Sequence, residues 1–154
     1  MQPLLTPETL WNYWEGHRRL TLRTLEAFPE VEMHGHPVPN MRSFVELMTE
    51  IINVEESTLR GLQTGVWKRE PVYKSFDSKA DLKEAFVKVR AQTQRVFVEL
   101  GMEKLRAVET DAWGMTSSNL ERLFYLIDNE IHHRAQAYVF LRLLGLEPPP
   151  FYVR

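Results

Sequence analysis

The chain has no cysteine among its 154 residues. That absence removes disulfides, thiolate nucleophiles and sulfur ligands together, so a metal bound here must be held by nitrogen and oxygen. Long apolar runs are missing as well: none approaches the ~20 residues that a membrane-spanning helix requires. Nor is there a charge excess, since 19 Lys and Arg stand against 21 Asp and Glu, spread evenly for a formal net charge of −2. Nucleic-acid binding leaves a basic footprint, and this chain carries none. The start, MQPLLTPETLW, lacks the basic opening and apolar stretch of a signal peptide. No Ser-His-Asp order, phosphate-cradling glycine loop or dinucleotide fingerprint is present. The expectation is a cytoplasmic protein with no nucleic-acid and no membrane partner.

What is present suits one hydrophobic core. At 44% hydrophobic and 26% charged residues, the composition is that of a globular chain, and 154 residues make one domain spanning 1–154. Strand signals are nearly absent, whereas four long segments carry apolar residues at spacings of three and four. The first opens at Thr6-Pro7-Glu8, a hydroxyl cap followed by proline and an acid, and should run to about Phe28, before Pro29. The second begins near Asn40, carries Phe44, Leu47, Met48, Ile51, Val54 and Leu62, and ends at Gly61 or Gly65. The third is capped by Asp77 or Ser78 and presents Leu82, Phe86, Val89, Val96 and Leu100, with Gly101 closing it. The fourth opens on Ser118-Asn119-Leu120-Glu121, a capping-box spacing, and stops at Gly145 before three prolines. The predicted class is all-α, a four-helix bundle with long connections over 29–40, 64–76 and 102–117.

The fourth segment contains the run NEIHHRAQ, from Asn129 to Gln136, where core residues are expected. Helical spacing aligns Leu126, Asn129, His133, Ala137, Phe140 and Leu144, so His133 and Asn129 point inward one turn apart while His132 sits about a quarter turn away. Polar side chains at i and i+4 can share one metal ion, or they can satisfy each other as a buried pair. On the second segment Glu50 lies at the border of the apolar face and Glu55 falls deeper within it. A buried carboxylate needs a cation or a donor, because isolation costs several kcal/mol. The first segment adds His17 in the stripe Leu10, Trp14, His17, Thr21, Thr24, Phe28. Three helices therefore direct ionisable groups inward. His34-Gly35-His36 lies in a proline-bounded loop, and two histidines do not close a metal site.

His133-Arg134-Ala135-Gln136, followed by Tyr138, Leu141-Arg142, Gly145 and the tail Pro148-Pro149-Pro150, resembles the histidine-arginine-glycine-glutamine signature of the DinB/YfiT-like proteins. The stretch from Glu50 to Glu55 is similar to that family's second helix. The resemblance covers essentially the whole chain and implies an up-down-down-up bundle that frequently pairs into homodimers. It implies three histidines binding a divalent metal, commonly nickel or zinc. By position the second histidine of the helix-four pair is His133, the first falls on Asn129, and the helix-two histidine falls on Glu50. His17 stands where relatives often carry asparagine and could supply a nitrogen from the opposite wall. The expected metal set is thus Glu50, Asn129, His133 and His17.

The resemblance also implies chemistry. Some relatives are thiol-dependent transferases, others are hydrolase-like. The leading expectation is a metal-dependent hydrolase or thiol transferase in which the cation activates a bound thiol or water, with Glu55 or Glu130 as proton acceptors. A small-molecule substrate is implied, and any thiol must arrive as a cosubstrate. The competing expectation is a metal-free small-molecule-binding or stress-response module whose inward polar groups form a closed hydrogen-bond network. A purely structural dimerisation bundle leaves the three inward ionisable helices unaccounted for.

Overall fold

The computed structural model describes residues 5–154 and contains five helices and a two-stranded sheet. The long helices are α1 (Pro7–Ala27), α2 (Phe44–Thr64), α3 (Lys79–Glu99) and α5 (Asn119–Leu143), with a short α4 (Met102–Arg106) and strands β1 (Val108–Thr110) and β2 (Thr116–Ser118) between α3 and α5. Each long helix starts where a side chain can take up an orphan amide. Thr6, Ser43, Ser78 and Ser118 accept from the backbone N–H three residues on, and Glu46 and Glu121 complete reciprocal capping boxes.

The expected start of α2 at Asn40 is corrected to Phe44. Asn40 adopts a left-handed φ of 64°, which ends any helical path there, and Ser43 forms its capping box with Glu46. At the other end Gly65 closes α2 in the left-handed conformation at φ 71°, as a residue without a Cβ can do at no steric cost. Gly61 serves a different purpose. A Cβ there would meet the Trp67 ring at 2.3 Å, so the chain leaving α2 folds Trp67 flat onto the helix. Asn53 then pins the following coil: its Oδ1 accepts from the amides of Val72 (3.1 Å) and Tyr73 (2.9 Å), and its Nδ2 donates to the Tyr73 carbonyl at 2.8 Å.

The helical faces bury the residues that the spacing indicates. The α1 stripe, Leu10, Trp14, His17, Thr21, Thr24 and Phe28, is buried throughout, as are Leu82, Phe86, Val89, Val96 and Leu100 of α3 and its C-cap. Both α1 and α2 pack on α3 and on α5. The core falls into two clusters. One joins Leu25, Phe28, Phe44, Met48, Ile52, Leu82, Phe86 and Phe140; the other joins Leu10, Trp14, Leu59, Leu62, Val96, Phe97, Leu123 and Ile127. Burying side chains of this size contributes roughly 1.5–3 kcal/mol each before chain entropy is counted.

The hairpin departs from the all-helical expectation, and α4 adds a short helix to the expected four. β1 and β2 pair antiparallel with Glu109 opposite Ser117, and polar contacts rather than an apolar face fix them. Arg122 donates to Asp111 Oδ2 at 2.8 Å and to the carbonyls of Glu109 (2.6 Å) and Met115 (3.0 Å), while its guanidinium lies 4.5 Å above the Trp67 ring. Among the described residues no helix is long and apolar enough to cross a membrane.

Candidate functional site

The polar run in α5 divides between two inward arcs. Asn129 and His133 share one arc, toward α2; Glu130 and Arg134 share the next, toward α1. Each arc builds a different arrangement.

On the first arc, His133 is 3% exposed. Its Nδ1–H donates to Gln136 Oε1 at 2.8 Å, and its Nε2 accepts from Arg42 Nη2 at 3.4 Å. A guanidinium has no lone pair to offer, so both partners require the same tautomer, with the proton on Nδ1 and the lone pair on Nε2. Burial pushes the His133 pKa below its usual value, and Arg42 and His132 push in the same direction, so the imidazole is neutral at pH 7. One turn earlier, the buried Oδ1 of Asn129 has no hydrogen-bond partner. Across on α2, Glu50 keeps its side chain 39% exposed and pairs with Arg42 Nη1 at 3.5 Å. The Arg42 guanidinium therefore spans Glu50 and His133 from the coil just before α2.

These groups suit a divalent cation in three respects. The histidine is neutral with a fixed tautomer, the arrangement that an outer-shell amide gives to ligating histidines. An amide oxygen is buried without a donor, and a carboxylate is close enough to raise the His133 pKa through its charge. Arg42 opposes a cation at the same place. Among the described residues no three His, Cys, Asp or Glu side chains gather as a metal cluster, so only His133 and Glu50 of this set are strong donors.

The second arc leads to a buried ionic layer to which all four long helices contribute. The Glu130 carboxylate, fully buried, accepts from Trp14 Nε1 (2.8 Å), from Arg18 Nε and Nη2 (3.0 Å each) and from Thr21 Oγ1 (2.6 Å). Glu55 accepts from Arg18 and from Thr93 of α3. Arg90 of α3 lies 3.3 Å from Glu55, 3.0 Å from Glu15 and 3.7 Å from Glu130, and its guanidinium sits 4.0 Å over the Trp14 ring. Burial disfavours the Glu130 anion, but Arg18, Arg90 and the Thr21 hydroxyl outweigh it and hold the carboxyl at about 2. Arg18 is raised above its ordinary value, because two carboxylates overcome its desolvation. Arg90 is lowered by burial and by Arg18, which fits its looser angles: none of its nitrogens makes an aligned hydrogen bond. The layer lies between the two apolar clusters and contains Glu55 and Glu130. Glu130, saturated by donors and held at low pKa, is a poor proton acceptor at neutral pH.

His17 lies on that side of α5 too, apart from the Glu50, Asn129 and His133 group. Arg134 Nη2 donates to its Nδ1 at 3.1 Å, so its proton is on Nε2, which is buried without a partner. Burial, then Arg134 and Arg154, bring its pKa down to about 4. Of the sequence-predicted residues, His133 and Glu50 meet through Arg42 with Asn129 one helical turn from His133, whereas Glu55 and Glu130 share the ionic layer and His17 bonds Arg134. Sequence reasoning missed Arg18, Arg90 and Arg42. The clue for Arg18 was available: it follows His17 on a helix whose neighbours Trp14 and Thr21 are both buried, so a cation there must meet an anion.

The chain resembles solved structures along most of its length. A DinB-like protein from Bacillus cereus is 20% identical, with 94% of this chain and 97% of that one covered and a TM-score of 0.80. A DinB-like protein from Bacillus subtilis is 19% identical over 95% and 99% of the two chains, with a TM-score of 0.76. A mycothiol-dependent maleylpyruvate isomerase is 15% identical over 92% and 68%, with a TM-score of 0.63. At these identities the likeness is one of fold. No curated relative matches the chain in sequence. The DinB family model matches residues 1–154, the full length, and the chain belongs to the DinB family.

Proposed function

We propose that His133, Glu50 and the Asn129 amide oxygen hold a divalent cation, nickel or zinc, and that the protein is a metal-dependent enzyme acting on a small molecule of the low-molecular-weight thiol class. The observation that carries this reading is the state of His133: neutral, fixed by Gln136, with its lone pair on the nitrogen that faces Arg42, which also pairs with Glu50. A bound cation supplies Lewis-acid activation of a thiol or water. The chain does the rest. Gln136 orients the imidazole, Glu50 offsets the cation's charge, and the packed helices exclude water from the Asn129 side. The absence of cysteine requires the thiol to enter as a cosubstrate, and the fold likeness to a thiol-dependent isomerase supports that class. In this reading His17 is outside the ligand set, and Glu55 and Glu130 stabilise the fold rather than accept protons.

The finer architecture belongs to the same proposal. An up-down-down-up order of α1, α2, α3 and α5 in a single domain is supported by the ends that share a cluster: Leu25, Phe44, Leu82 and Phe140 at one pole, Leu10, Leu62, Val96 and Leu123 at the other. A homodimer would be read directly from the mass in solution by light scattering.

Metal content of tag-free protein, measured by elemental mass spectrometry after dialysis and after challenge with nickel, zinc and manganese, tests the site. The reading expects about one ion per chain, lost in His133→Ala and in Glu50→Gln. No retained metal under any condition would refute it. One observation favours a second reading in that event: the Arg42 guanidinium already bridges the two strong donors, as a cation would, which suits a metal-free small-molecule-binding module.

A further inference from the structure

We infer that Arg42 is a tethered competitor for the cation site, so that metal loading requires its guanidinium to leave His133 and Glu50. The inference rests on the metal reading above and adds a regulatory element to it. Both Arg42 contacts engage the groups that a metal would take: Nη2 meets the His133 Nε2 lone pair at 3.4 Å, and Nη1 meets the Glu50 carboxylate at 3.5 Å. The Nε2 atom has one lone pair, so it serves the arginine or the metal but not both. A guanidinium and a divalent cation also repel one another at this range.

The contacts are poised for release. Both are longer than the ~2.9 Å of a strong N–H bond, and the Arg42 side chain is 48% exposed. Arg42 belongs to the coil, one residue before the α2 N-cap. That cap is independently fixed: Ser43 and Glu46 close their box, and the Val45 amide donates to the Met33 carbonyl at 2.9 Å. The arginine can therefore swing out without loosening α2. Once displaced, it stands beside the cation with its planar fork free, so an anion that pairs with it favours metal binding, and by reciprocity the metal favours the anion.

Isothermal titration with zinc chloride and nickel chloride, on wild type and on Arg42→Gln, tests this. The variant binds roughly twofold to fivefold more tightly, the range that a part-exposed charged contact supports. Adding His133→Ala to Arg42→Gln abolishes the gain. A second readout follows the same exchange in the wild type: the Arg42 side-chain N–H resonance shifts in step with the His133 imidazole as zinc is added. Equal affinity in wild type and Arg42→Gln, or weaker binding in the variant, overturns the inference while leaving the metal site intact. Binding in neither protein overturns the inference and the metal reading together.

Discussion

Replacing Glu130 with glutamine tests the assignment of the buried ionic layer to stability. The substitution keeps size and shape but removes the charge. Glutamine retains one acceptor oxygen for Thr21 or Arg18, and its amide N–H groups then face other donors, Trp14 Nε1 and the Arg18 fork. Arg18 and Arg90 are left to share Glu55 and the part-buried Glu15. Removing one partner from a buried ion pair costs about 3–5 kcal/mol, because the other charge stays desolvated and uncompensated. A domain of this size is stable by about 5–15 kcal/mol, so a fifth or more of the total is lost. At roughly 2–4 °C per kcal/mol the midpoint falls by about 6–20 °C. Urea unfolding followed by far-UV circular dichroism at pH 7 gives the difference, with metal content measured on the same sample. A loss under about 1 kcal/mol refutes the reasoning. If stability holds and metal content or activity falls instead, Glu130 belongs to the site. Replacing Arg18 and Glu130 together with apolar residues should cost less than the sum of the single changes, since no charge is then stranded.

Three further outcomes follow from the geometry. His17 has a folded pKa of about 4 against its ordinary 6.5. The unfolded chain therefore takes up the proton first, and the stability this histidine contributes, present above pH 6.5, is lost as the pH falls toward 4; the full span is worth about 3 kcal/mol. Urea midpoints of wild type and His17→Gln should thus diverge in the variant's favour between pH 6.5 and 4.5, and parallel curves would refute the assignment. Gly61→Ala places a methyl against the Trp67 ring, so despite alanine's better helix propensity the variant should lose about 1–3 kcal/mol, with a change in near-UV dichroism as the ring shifts. Unchanged stability would mean that Trp67 moves aside freely. Ser118→Ala removes one half of the α5 capping box and should cost about 1 kcal/mol in the same urea assay; a variant equal to wild type would show that the hairpin alone fixes the start of α5.

The four long helices were legible because each combines a cap with an unbroken apolar rhythm, two signals that are local in the sequence. The start of α2 was misplaced although Ser43 and Glu46 carry a capping-box spacing: Asn40, equally able to cap, stands earlier, and only its left-handed backbone rules it out. The hairpin had no signal to read. Val108–Thr110 and Thr116–Ser118 are three residues each, without alternation, and their pairing depends on Arg122, Asp111 and Asn119, whose roles exist only once the chain has folded. Buried carboxylates were legible as acids on apolar faces, but their partners were not. A basic residue near a helical stripe usually keeps its charge in water, and helical spacing does not say which arginine crosses to which acid. Sequence position grouped His17 with His133, whereas the fold separates them by one face of α5.

That separation explains why NEIHHRAQ is so polar. Adjacent residues on a helix point about 100° apart, so one helix wedged between α1 and α2 can feed two polar assemblies from alternate positions. Glu130 and Arg134 meet Arg18, Thr21 and His17, so the Glu130 carboxylate closes on protein donors while His17 Nε2 is left without a partner. Asn129 and His133 face the other way, and theirs is the arc that leaves an amide oxygen without a donor and a lone pair on a part-exposed arginine. A buried network that serves only stability has reason to satisfy every member, because each unpaired group costs about 1–3 kcal/mol. The Glu130 carboxylate meets that condition although His17 Nε2 and the Arg90 nitrogens around it do not; what sets the His133 arc apart is that its unmatched group is an acceptor, Asn129 Oδ1, one turn from an imidazole lone pair. The two arcs should therefore separate under substitution: changes at Glu130 move stability with little effect on metal content, and changes at His133 move metal content with a smaller effect on stability. If the effects of His133→Ala and Glu130→Gln fall in the same proportion on both readouts, α5 carries one coupled network and the division argued from its two faces fails.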